Sequence, residues 1–134
     1  ELAGQRGGAV WRQHLGRPDD PADSLRADLA AAPERAVVVV GTVDDAVVGY
    51  GVARVEDLAD GTVLSVISDL YVHADARGIG VGEAMMDLLV AHAQDAGAVG
   101  IDSLALPGDR ETKNFFETFG LKARAIVVHR SLRP

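Results

Sequence analysis

The chain contains no cysteine, so disulfide bridges and thiolate-held metal centres are both excluded. Aromatic residues make up only 4% of its 134 residues, which leaves the core to Val, Leu, Ile and Ala. Long apolar runs are missing as well. Stretches such as Ala36–Val40 fall far short of the roughly 20 residues that a membrane-crossing helix needs. No basic region followed by an apolar segment opens the chain, so no export signal is expected, and a cytoplasmic location is. Positive charge is also short. The net charge of −7 argues against nucleic acid as a partner, because such proteins need a basic face. A small phosphate-bearing ligand is still allowed, since it asks only for a local patch of donors.

What is present points to one domain spanning residues 1–134 with a single core. Among the 13 cations, 11 are Arg, and Ala, Gly and Val are abundant, a bias expected of a GC-rich bacterial genome. Residues 1–18 give no clear element, because Gly4, Gly7 and Gly8 interrupt the apolar positions. The chain opens on Glu1 rather than Met, so trimming of the natural N-terminus is expected. Asp20 as N-cap and Pro21 behind it predict a helix to about Ala32, where Pro33 stops it.

Three apolar, β-branched runs follow at Ala36–Val43, Ala46–Leu58 and Thr62–His73. The short turns Asp44-Asp45 and Asp60-Gly61 between them imply an antiparallel meander. The period then changes to that of a helix, with Val81, Met85, Leu88, Leu89 and His92 on one face. Gly97 and Gly100 close this helix, and Ile101–Leu106 reads as a buried strand. After Pro107-Gly108, a second helix carries Thr112, Phe115, Phe116 and Phe119 on its apolar face, with Gly120 as its stop. Ala123–Leu132 reads as a last strand.

The segment richest in chemistry is Arg77-Gly78-Ile79-Gly80-Val81-Gly82, between a strand and the long helix. Glycines at alternate positions let main chain approach a ligand with no Cβ in the way. Successive N–H groups at a helix start form an anion site, and the planar fork of Arg77 suits a diphosphate. Other phosphate loops fit poorly. A P-loop would need Lys and Ser or Thr after its last glycine, where Glu83 stands. A dinucleotide fingerprint would need a third glycine at that same position and a βαβ unit before it. The remaining alternative is a tight strand-to-helix turn that binds nothing.

In these residues the chain resembles the GNAT superfamily of acyl-CoA-dependent N-acetyltransferases. The first signature is the Arg77–Gly82 loop preceded by Leu70-Tyr71-Val72. The second is the aromatic-rich helix end Asn114-Phe115-Phe116-Glu117-Thr118-Phe119-Gly120-Leu121. The resemblance covers residues 36–132. It implies an α/β fold with a splayed, mixed and mostly antiparallel sheet, helices on both faces, and a strand–loop–helix cofactor site. It implies acetyl-CoA as acyl donor, with the pantetheine arm along the main chain of Leu70, Tyr71 and Val72. The diphosphate would lie on Arg77, Gly78, Gly80, Val81 and Gly82, with Asn114 and Phe116 as further cofactor contacts. The implied acceptor is a primary amine, on a small molecule or a peptide. A catalytically silent acyl-CoA-binding module is the alternative.

Direct transfer needs a base for the amine and, usually, an acid for the departing thiolate. Many relatives place a Tyr at the position of Phe116, which has no proton to give; water, Tyr71 or Thr112 are the substitutes. Some relatives carry a Glu where this chain has Ser68, and its neighbour Asp69 is the first candidate base. Glu56 and Asp57 come second, against the plainer reading of a solvated acidic turn. Where many relatives have an Asn, Asp109 stands and is expected to cap the second helix. His14, His73, His92 and His129 lack metal-ligand spacing, so no metal is assigned. His129 among the valines of the last strand could border the acceptor site. The acidic balance favours cationic acceptors such as polyamines, aminoglycosides or lysine side chains. A homodimer through the C-terminal strand is a further expectation.

Overall fold

A computed structural model describes residues 34–104 and 110–133 of the chain. The expected helix ending at Ala32, the turn at Pro107-Gly108 and the cap at Asp109 lie outside the described residues.

The meander forms as its turns dictate. Strand β1 (Ala36–Val43) pairs antiparallel with β2 (Ala46–Asp57), which pairs antiparallel with β3 (Val63–Val72). The β1–β2 connection is a tight two-residue turn with both Asp44 (φ 49°) and Asp45 (φ 68°) left-handed. At the next turn Gly61 takes φ 86°, and the Asp60 carboxylate accepts from the amide and hydroxyl of Thr62 at 3.0 and 2.5 Å. Those two bonds hold the Asp60 carboxyl below its ordinary range.

Helix α1 (Val81–Asp95) packs on one face of the meander. Strand glycines make this close approach possible. A Cβ added to Gly41 would lie 2.3 Å from Val81 Cγ1 of α1, and one at Gly49 would lie 3.1 Å from Met85 Cε of α1 and 2.6 Å from the Tyr71 carbonyl oxygen on β3. Gly41 and Gly49 are cross-strand partners, so together they leave a shallow seat for the first turns of α1. The buried stripe of α1 is Val81, Met85, Met86, Leu89 and Ala93. Leu88, expected inside, is 54% exposed instead. It lies a quarter turn or more off the axis of this stripe, and Met86 fills the sheet-facing side. A Schellman closure ends α1, with Gly97 (φ 74°) donating to Gln94 and Ala98 to Ala93.

Strand β4 is much shorter than expected. Only Ile101–Asp102 is strand, paired parallel to Ser65 and Val66 of β3, and Ser103 and Leu104 have already left the ladder. The sheet order is β1-β2-β3-β4, a mixed sheet in which β3 and β4 part after two residue pairs. Helix α2 (Arg110–Thr118) buries Phe116 in the core and ends in a second Schellman closure at Gly120 (φ 84°) and Leu121.

The expected last strand does not form. Residues 123–132 carry no ladder bonds, and Ile126, Val127, Val128 and Leu132 are 87–89% exposed. The β-branched run Ile126–Val128 needs an edge to pair with, and a two-residue β4 offers almost none. Among the described residues, Arg124 ties the segment to the sheet through a fork on the Asp102 carboxylate.

Candidate functional site

The parting of β3 from β4 opens a cleft of about 360 Å³, closed at its far side by α2. Strand β3 contributes an unusual edge there. His73 N–H donates to Val48 on β2, so Val72 and Leu70 turn their main-chain groups the opposite way by strand alternation. Among the described residues no strand pairs that edge from Ile67 to Val72. Arg77 Nε donates to the Val72 carbonyl at 2.9 Å, and its guanidinium lies 5.8 Å from the centre of the Tyr71 ring. Arg77 therefore marks the junction of strand edge and loop.

The loop itself has the backbone that its glycines suggest. Gly78 (φ 85°) and Gly80 (φ 89°) are both left-handed, and a Cβ on either would meet nothing within 4 Å. Gly80 is the N-cap of α1 and supplies no side-chain cap, so the first-turn N–H groups get no help from it. Gly82 differs. Its φ is ordinary, and an added Cβ would make only van der Waals contact with Phe115 (3.5 Å) and Val72 (3.7 Å). These open donors at a helix start, beside a guanidinium, fit a diphosphate; the unpaired β3 edge fits an amide-bearing arm such as pantetheine.

The cleft brings together Leu70, Tyr71, Val72, Arg77, Gly78, Gly82 and Phe116 from the sequence-derived set, along with Ser68, Asp69 and Thr112. Gly80 and Val81, also in that set, line a neighbouring hollow beside β1 instead. Asn114 is exposed on α2 and is not on the cleft wall. Glu56 lies at the opposite end of the meander, paired with Leu64, and Asp57 beside it makes a bidentate ion pair with Arg35 at 3.1 and 3.2 Å. His129 is exposed on the unpaired C-terminal segment.

Asp69 sits at a bulge. Val52 pairs with Asp69 and Ala53 with Ile67, which leaves Ser68 as the extra residue. The bulge aims Ser68 and Asp69 together: Ser68 Oγ donates to Asp69 at 2.7 Å, and Tyr50 OH approaches its other oxygen at 3.4 Å. Tyr50 also tilts against Tyr71, its cross-strand partner, with ring centres 6.3 Å apart. Sequence reasoning missed Tyr50 because nothing local marks it. Its signal is register, since the residue opposite Tyr71 must share its face. Glu83 and Glu111 also line the cleft and escaped notice as ordinary first-turn acids of their helices. Among the described residues no group of three potential ligands is placed to hold a metal ion, and no helix is long and apolar enough to cross a membrane.

This combination of splayed sheet, glycine-rich helix start and aromatic second helix is the architecture of an acyltransferase. The model of the acetyltransferase (GNAT) family matches residues 9–121, and the chain belongs to that family. No curated protein sequence matches the chain. Among solved structures, AAC(6')-Iy in complex with the bisubstrate analogue CoA-S-monomethyl-acetylneamine superposes with TM-score 0.72 at 15% identity, covering 92% of this chain and 87% of that one. Glucosamine-6-phosphate N-acetyltransferase from Arabidopsis thaliana gives 0.70 at 17%, covering 99% and 95%. The aminoglycoside acetyltransferase meta-AAC0020 from an uncultured soil metagenomic sample, in complex with sisomicin, gives 0.69 at 19%, covering 99% and 86%. These likenesses establish the mixed α/β GNAT fold.

Proposed function

We propose that this GNAT domain transfers an acetyl group directly from acetyl-CoA to a primary amine on a small cationic acceptor. The observation that carries this reading is the continuity of the cleft: the unpaired β3 edge leads without a break to the open donors at the start of α1. Bound there, acetyl-CoA supplies an activated thioester. Arg77, Gly78 and the first-turn amides of α1 hold the diphosphate, and the main chain of Leu70 and Val72 orients the arm. The acceptor nitrogen attacks the thioester carbonyl carbon, the carbon–sulfur bond breaks, and sulfur leaves as thiolate. Asp69, aimed by the Ser68 bulge, takes the proton released by the amine. Its carboxylate and that of Glu111 give the cleft the sign that attracts a cationic acceptor. The ligands of two structural neighbours, an acetylneamine derivative and sisomicin, support aminoglycoside-like amines as the first acceptors to try.

Phe116 favours a second reading. At 7% exposure it belongs to the hydrophobic core, and it offers no proton to the leaving thiolate. An acyl-CoA-binding module without turnover has the same cleft and needs no acid. Free-thiol release measured over a panel of aminoglycosides, polyamines and lysine peptides separates the two. Release that requires both acetyl-CoA and an acceptor supports transfer; cofactor binding with no release against any acceptor supports the silent module.

A further inference from the structure

We propose, resting on the reading of Asp69 as the base for acetyl transfer, that Tyr50 is a positioning residue whose hydroxyl holds the Asp69 carboxylate where it receives the amine proton. Strand register brings the two side chains together. Tyr50 pairs with Tyr71 and Val52 with Asp69, so Tyr50 and Asp69 are diagonal neighbours on one face of the β2–β3 ladder. Diagonal positions lie about 7–8 Å apart, a span that an aromatic side chain can cross. Val52, directly opposite Asp69, is fully buried and has no polar side-chain atom to offer. The Tyr50 hydroxyl reaches across the diagonal instead and donates to Asp69 Oδ2 at 3.4 Å.

A carboxylate turns readily about its Cβ–Cγ bond, so a single contact leaves its direction open. Here each oxygen has its own donor: Ser68 Oγ reaches Oδ1 at 2.7 Å, and Tyr50 reaches Oδ2. Ser68 belongs to the same bulge as Asp69 and moves with it. Tyr50 belongs to β2, and so refers the carboxylate to the body of the sheet. Its ring is itself anchored. It tilts at 44° against Tyr71 with centres 6.3 Å apart, and the Arg77 guanidinium flanks Tyr71 at 5.8 Å. Each carboxylate oxygen carries more than one lone pair, so accepting from Tyr50 leaves Oδ2 able to take the amine proton. Asp69 and Tyr71 line the cleft and Tyr50 does not, so Tyr50 acts through Asp69. A separation of 3.4 Å is long for such a bond, and bonds of this kind commonly tighten when the reactants bind.

The test is a double-mutant cycle on Tyr50→Phe and Asp69→Ala, read by acceptor-dependent thiol release and separately by urea unfolding. Tyr50→Phe keeps the ring against Tyr71 and removes only the hydroxyl, so the fold is retained. It should lower kcat about tenfold and leave the KM values of acetyl-CoA and acceptor unchanged. Added to Asp69→Ala, it should lower kcat no further, because the group it orients is gone. The urea midpoints should be non-additive in the same way. A role in packing alone would cost the same factor with or without Asp69, and equal losses overturn the proposal. Additive urea midpoints overturn it as well, and so does a raised KM at constant kcat, which would make Tyr50 a wall of the acceptor site. A parent that binds acetyl-CoA and releases no thiol sinks the transfer reading and the Tyr50 role together, whereas additivity in an active parent sinks the Tyr50 role alone.

Discussion

Asp69 is the proposed base, and the hydroxyls of Ser68 and Tyr50 contact its carboxylate at the cleft. Asp69→Asn keeps the shape and removes the base. Acceptor-dependent thiol release should fall by roughly 10²–10⁴-fold near neutral pH, with cofactor affinity unchanged. Unaltered release across a pH series takes Asp69 out of the mechanism. At the β1–β2 turn, Asp44 and Asp45 both occupy a region that L residues enter reluctantly. Asp45→Gly should therefore stabilise the fold by roughly 0.5–1 kcal/mol, read as a higher urea midpoint at constant slope. The backbone of the Arg77–Gly82 loop was legible because the glycines that shape it lie in consecutive sequence before the helix. Tyr50 was not, because its neighbourhood with Asp69 exists only once strand register and the Ser68 bulge are fixed.

Elements were legible where local signals and packing agreed. The three meander strands, the two helices of the described residues and the Gly97 and Gly120 closures follow from β-branched runs, stripe and cap chemistry. What local pattern could not supply was the partner. Ala123–Leu132 carries the β-branched run Ile126–Val128 of a strand, yet β4 is too short to receive it. The glycines inside β1 and β2 are the inverse case, a visible signal whose meaning is the seat of α1. Gly49→Ala, with carbonyl oxygen at 2.6 Å from the new methyl, should destabilise the protein by roughly 1–3 kcal/mol in chemical denaturation. Loss of less than a few tenths would mean that the seat is loose. The Asp102–Arg124 tie predicts a pH effect. The guanidinium hydrogen bonds hold the Asp102 carboxyl below its ordinary 3.8. A depressed folded-state value stabilises above pH 3.8 and loses that contribution as pH falls through it. In an NMR titration, Arg124→Ala should move the Asp102 midpoint upward; an unmoved midpoint would show the pair to be absent in solution.

At the scale of the molecule, the proposed function follows from a sheet that does not close among the described residues. Antiparallel pairing holds β1 to β3 together, parallel pairing begins at β4 and stops, and the gap exposes main chain where a second ligand-bearing strand would lie. Helix α1 brings its donors to the end of that gap because strand glycines let it sit close. The gap can be tested without disturbing the fold. Gly82 is the second residue of α1, has an ordinary φ, and a Cβ there meets only van der Waals contacts. An Asp at this position suits the helix dipole of the free protein but repels a bound diphosphate. The direct measurement is thermal unfolding of the parent and Gly82→Asp, each with and without acetyl-CoA. The parent should gain about 2.7 kcal/mol at a hundredfold excess over Kd, while Gly82→Asp, as stable as the parent when alone, gains nothing. An equal gain in both proteins would contradict the assignment of the helix start as the phosphate site.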